Sequence, residues 1–130
     1  MLHYSQQKSK VKQSAFYWLI FILVVSLFVG CSNVSDEEVI AARKAVKEGA
    51  LMIDVRTPSE YRHGHIKGAH NIPLQVLDKV YAHLPRDKEI VVYCRAGNRS
   101  EVAAKFLREQ GWRVHDVATQ EDWERDIMIK

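Results

Sequence analysis

Beyond residue 34 the apolar positions switch between helical and extended spacing, and most of the switches are marked by a stop signal. Ser35-Asp36-Glu37-Glu38 has the form of a capping box, with a hydroxyl at the cap, a carboxylate three residues on and acids where the helix dipole favours them. A helix is predicted from there through Val39, Ile40, Ala42 and Val46, ending at Gly49, a residue suited to a left-handed stop. Leu51-Met52-Ile53-Asp54-Val55 reads as a short buried strand. Pro58, in Thr57-Pro58-Ser59-Glu60, breaks it and favours a turn or a helix start. Ala69 to Ile72 is compatible with a second, brief strand.

Leu74, Leu77, Val80, Tyr81 and Leu84 fall on one helix face, which Pro85 ends. Glu89-Ile90-Val91-Val92-Tyr93 is the strongest strand signal, a β-branched run short enough for the centre of a parallel sheet. Val102, Ala103, Phe106 and Leu107 mark a helix from Arg99 to Gln110, closed by Gly111. A strand over Trp112–Val117 and a last helix over Gln120–Ile127 follow. Strands alternating with helices predict an α/β domain over 35–130, with a mostly parallel sheet, helices on both faces and ligands bound beyond the carboxyl ends of the strands.

Composition changes this picture only at the N-terminus. The chain has 130 residues, 47% hydrophobic and 27% charged, an ordinary globular balance that fits one domain. The formal charge of +3 invites a nucleic-acid reading, but the excess is Lys8, Lys10 and Lys12, with no acid before Asp36. Of the 19 basic side chains these three fall within residues 1–30, leaving 16 against 16 acids, and a neutral domain lacks the footprint of a polyanion-binding protein.

Residues 1–30 have the layout of an export signal: a basic start, an uncharged apolar stretch from Ala15 to Val29, then Gly30 before Cys31. Phe28-Val29-Gly30-Cys31 resembles the lipobox of bacterial lipoproteins, which implies acylation of Cys31, a linker over 31–34, and a domain held on the periplasmic or outer face of a membrane. The alternative is an uncleaved N-terminal anchor. If Cys31 carries lipid, Cys94 is the lone thiol of the mature chain, either buried and inert or chemically used.

Its neighbours decide between these. Cys94-Arg95-Ala96-Gly97-Asn98-Arg99-Ser100 links the strongest strand to a helix, which puts the sulfur above backbone N–H groups and beside a positive helix end. Such surroundings favour a nucleophilic thiolate. Gly97 permits the tight turn, and Arg95 and Arg99 offer charge to an anionic substrate or a persulfide.

With this loop, the segments Ile53-Asp54-Val55-Arg56, Glu60-Tyr61 and Gly64-His65-Ile66-Lys67-Gly68-Ala69-His70-Asn71-Ile72-Pro73 resemble the rhodanese family in order and spacing, over about residues 35 to 125. The resemblance implies a sulfurtransferase with Cys94 as the nucleophile that carries sulfane sulfur as a persulfide. It implies substrate binding by Arg95, Ala96, Gly97, Asn98, Arg99 and Ser100. Four residues between Cys94 and Arg99 make the sulfur-sized loop, whereas the related phosphatases have five. Basic loop residues are similar to those of the thiosulfate-using members, so thiosulfate is the favoured donor, and cyanide or a thiol the acceptor. No cofactor or metal is implied. Two alternatives are a sulfur-relay or binding module fed by a partner protein, and a phosphatase or redox enzyme on the same fold.

Asp54 and Arg56, following a buried strand, read as a salt bridge and hydrogen-bond support for the loop. His63, His65 and His70 lie within the family's structural segment, without a cysteine or acid to complete a ligand set. Trp112 and Trp123 read as packing residues. Val117-Ala118-Thr119-Gln120-Glu121-Asp122-Trp123 stands where many rhodaneses have a Gly-Gly turn before a tryptophan, so that turn must be built differently.

Overall fold

The structure is a computed structural model that describes Tyr17 and residues 34–127. The expected acylation site Cys31, and residues 1–30 apart from Tyr17, lie outside the described residues. The chain divides into two units, residues 1–31 and 32–130, and the fold described is that of the second. No helix among the described residues is long and apolar enough to cross a membrane.

The elements run α1 (Asp36–Lys47), β1 (Leu51–Asp54), α2 (Pro58–Arg62), β2 (His70–Asn71), α3 (Leu74–Val80) with a 3-10 turn (Tyr81–His83), β3 (Ile90–Cys94), α4 (Asn98–Glu109), β4 (Val114–Thr119) and α5 (Gln120–Glu124). The four strands form one sheet in the order β2-β1-β3-β4, and every pairing is parallel. The expected mostly parallel sheet is thus wholly parallel. After β1 the chain moves to one side of the sheet to form β2, and after β3 to the other side to form β4. The order therefore reverses between β1 and β3, the place where open α/β sheets bind ligands, and the carboxyl ends of those two strands are Asp54 and Cys94.

Strand alternation sorts the core into two layers. Ile53, Val55, Ile90, Val92 and Cys94 face a cluster with Leu77 of α3 and Ala103, Ala104 and Leu107 of α4. Met52, Val91, Tyr93 and Val117 face the other way, onto Ala42 of α1 with Trp123 of α5 alongside. All five residues of β3 are buried, as expected of a central strand covered on both faces. Cys94 consequently points to the layer of α4, the helix its own loop begins.

Ser35 caps α1 as its sequence predicts, its side chain accepting from the Glu38 amide at 3.2 Å. The strand expected over Trp112–Val117 starts two residues later, because Trp112 serves the end of α4. Gly111, at φ +95°, donates to the Arg108 carbonyl, and the Trp112 amide reaches back to Leu107, which together make a Schellman cap. The Trp112 indole enters the core, its Nε1–H bonding the Pro85 carbonyl at 3.1 Å. The helix expected over 74–84 tightens to 3-10 after Val80, and Leu84 is extended, as the residue before a proline prefers. The last helix stops at Glu124 rather than Ile127, because extended Arg125 turns to bond Asp36, Asp122 and the Val34 carbonyl.

Candidate active site

The Cys94 sulfur stands where β3 ends and α4 begins. The residue is 2% exposed, and its Sγ accepts hydrogen bonds from the Gly97 amide at 3.1 Å and the Ser100 amide at 3.4 Å. These amides belong to the cap and first turn of α4, whose first donors have no partner within the helix. The sulfur takes the place of that partner, at the positive end of the helix. The turn requires Gly97 at φ +92°, a conformation a side chain strains, and the Ser100 hydroxyl pins it by donating to the Gly97 carbonyl at 2.9 Å. The two amide dipoles aimed at Sγ are the kind of surroundings that stabilise negative charge on sulfur.

Two ion pairs surround the loop, and both consume cations. Arg99 forks onto Glu60 through Nη1 to Oε2 at 2.8 Å and Nη2 to Oε1 at 2.9 Å. Glu60 also accepts from the Thr57 amide at 2.9 Å, while the Thr57 hydroxyl accepts from the Glu60 amide, which closes a capping box around α2. The Arg99 fork, then the Thr57 amide, hold the Glu60 carboxyl well below the usual carboxylate range. Asp54, fully buried, accepts from Arg56 Nη2 at 2.6 Å, from the Arg56 amide at 2.9 Å and from the Tyr93 hydroxyl at 2.8 Å. Burial pushes the Tyr93 hydroxyl up, and its oxygen accepts in turn from the Ile66 amide at 3.0 Å.

The sequence-predicted residues therefore divide by role. Gly97 and Ser100 present amides to Cys94, while Arg95, Ala96 and Asn98 are exposed around it. Arg99 reaches Glu60, and no ion pair with an acid is found for Arg95 among the described residues. Asp54 and Arg56 do form a salt bridge, but its further bonds run to Tyr93 and the Gly64 carbonyl rather than to residues 95–100. The brace on the loop itself is Glu60, which the sequence offered only as part of a family signature. Its signal was present: Thr57-Pro58-Ser59-Glu60 is a capping box with proline at the first helical position.

His63 and His65 place Nδ1 against the Ser59 and Tyr61 carbonyls at 2.7 and 2.9 Å, and His65 stacks on Tyr61. In the segment that departs from a Gly-Gly turn, three residues of β4 span what two cover on β3, since Val92 pairs with Asp116 and Cys94 with Thr119. This bulge places Ala118 at φ +54°, with its amide bonded to Asp116 Oδ1 at 2.9 Å.

Known proteins share both the sequence and the architecture. A sulfurtransferase of Allochromatium vinosum is 36% identical over 80 residues, covering 62% of this chain and 75% of that protein. The thiosulfate sulfurtransferase PspE of Escherichia coli is 42% identical over 62 residues, covering 46% of this chain and 60% of that one. The crystal structure of a rhodanese-related protein from Thermoplasma volcanium matches with a TM-score of 0.59 at 34% identity, covering 65% of this chain and 85% of that one. The profile described as Rhodanese-like domain matches residues 37–119, which is more than half of the chain and spans every strand and the Cys94 loop. The chain belongs to the rhodanese-like domain family.

Proposed function

We propose that the protein is a sulfurtransferase that carries sulfane sulfur on Cys94. The observation that carries this reading is the Cys94 sulfur held by the Gly97 and Ser100 amides at the reversal point of the sheet. The sulfurtransferase relatives support it, and PspE supports thiosulfate as donor. The Cys94 thiolate attacks the outer sulfur of thiosulfate, forming an S–S bond while the original S–S bond breaks and sulfite leaves with its electron pair. The persulfide anion then lies in a cradle of amide dipoles, with exposed Arg95 beside the entering donor. A thiolate or cyanide attacks the outer sulfur, and Cys94 departs as thiolate, ready for another cycle.

Thiocyanate formation from thiosulfate and cyanide by the full chain, with the intact mass recorded after thiosulfate alone, tests this. Turnover and a gain of about 32 Da, both lost in Cys94→Ser, are expected for covalent catalysis. A wild type that gains no mass and makes no thiocyanate sinks the thiosulfate reading, and loading from a protein persulfide instead would mark a relay module.

The basic start, the apolar run and Phe28-Val29-Gly30-Cys31 support export and acylation at Cys31, with the domain on the outer face of a bacterial membrane. Cys31→Ser should move the protein out of the lipid-labelled fraction. Unchanged labelling rules acylation at Cys31 out.

A further inference from the structure

We infer that Glu60 is a positioning residue for the Cys94 loop: by clamping and neutralising Arg99, it fixes the start of α4 and limits how strongly the loop favours a thiolate. This rests on the reading of Cys94 as the sulfur-carrying nucleophile.

Three observations converge on it. First, the fork between Arg99 and Glu60 joins α2 to the first turn of α4, and the Ser100 amide facing the sulfur belongs to the residue after Arg99. Second, the Glu60 carboxylate is itself immobilised. The Thr57 amide and hydroxyl both donate to Oε2, so the carboxylate is anchored to the end of the β1 connection before Arg99 reaches it. Third, Arg99 and Cys94 belong to one loop, so the guanidinium that Glu60 clamps is tied to the thiol by four intervening residues. Arg99 is held charged first by its hydrogen bonds to Glu60.

The charges around the loop leave a specific role for Glu60. Arg95 and Arg99 lie on the loop, Arg56 paired with Asp54 stands at the end of β1, and Asp116 comes from β4 close to Ser100. With Arg56 and Arg99 both paired, Arg95 is the loop cation that has no acid partner among the described residues. A nucleophile gains nothing from an over-stabilised thiolate, because intrinsic reactivity falls as the anion becomes more stable. Glu60 keeps Arg99 in place as a tether while cancelling most of its field.

Alkylation of Cys94 by iodoacetamide, followed by intact mass across pH in the full chain, tests the inference without requiring any sulfur chemistry. Glu60→Gln retains the shape and the capping capacity of the side chain while removing its charge. Its alkylation profile should move to lower pH, with a rate about threefold higher on the acid limb, the size of change expected for one partly screened charge nearby. Arg99→Gln should move the profile the opposite way. Glu89→Gln, which removes a carboxylate from the far end of the sheet, should leave it unchanged. A Glu60→Gln profile that superimposes on wild type, or moves with that of Arg99→Gln, overturns the inference. Thiosulfate turnover on the same samples separates the two claims, since a wild type without turnover would remove the thiosulfate reading and leave the alkylation profiles to judge Glu60.

Discussion

At the scale of single residues, two left-handed positions, one in the Cys94 loop and one in the bulge of the strand beside β3, carry opposite expectations. Gly97 needs φ +92° so that its amide can face Cys94 Sγ, and a Cβ there strains the turn. Gly97→Ala should lower sulfur loading of Cys94 by about tenfold, which corresponds to the ~1.4 kcal/mol that strain of this kind can supply. Loading at the wild-type rate would show that the amide is dispensable. Ala118 is the reverse case, a non-glycine residue at φ +54° in the β4 bulge. Relief of about 1–2 kcal/mol of strain, offset by the ~0.4–1 kcal/mol entropy cost of a new glycine, leaves Ala118→Gly more stable by roughly 0.5 kcal/mol in urea unfolding. A destabilised variant would mean that the buried methyl matters more than the backbone.

Among the elements, α2 is five residues long and contributes no fully buried side chain, so polar contacts carry much of its placement. Its capping box, the fork to Arg99 and the Tyr61 hydroxyl donating to the Ala69 carbonyl at 2.8 Å hold it. Because the Glu60 carboxyl is held below its ordinary value by that fork, its contribution to stability is fully present above the unfolded-state value of about 4.3 and is lost as pH falls below it. Wild type should therefore lose its stability advantage over Glu60→Gln as pH drops below about 4, in denaturant titrations at fixed pH. A constant gap down to pH 2 would place the contribution elsewhere. The capping box was legible in Thr57-Pro58-Ser59-Glu60, whereas its partner Arg99 stands 39 residues away, a separation local spacing cannot reveal.

Over the whole molecule, Tyr93 and Cys94 are adjacent in β3 yet serve opposite faces of the sheet. The Tyr93 hydroxyl joins Asp54 to the Ile66 amide inside one layer, so Tyr93→Phe leaves buried polar groups short of a partner and should cost about 1–3 kcal/mol. Burial raises this hydroxyl above its ordinary value, so the native state keeps it neutral while the unfolded chain ionises near pH 10. Stability from this source is present below about pH 10 and lost above it, and the gap between wild type and Tyr93→Phe should narrow there. A gap that widens in alkali would contradict the assignment.

The sequence alone determined the α/β class, the central strand at Ile90–Tyr93, the caps of α1 and α4 and the place of Cys94 at a strand end, because each rests on periodicity or on cap chemistry within a few residues. Element ends were less legible. Trp112 has the composition of a strand residue, but Gly111 commits it to the cap of α4, and Arg125 leaves its helix for acids and a carbonyl brought close only by folding. Only the tertiary structure decided which arginine of the Cys94 loop is paired with an acid, which carboxylate braces the loop and which amides face the sulfur. Those outcomes depend on strand order and on contacts between residues dozens of positions apart, and a parallel sheet joins its strands through long crossovers that no local pattern encodes.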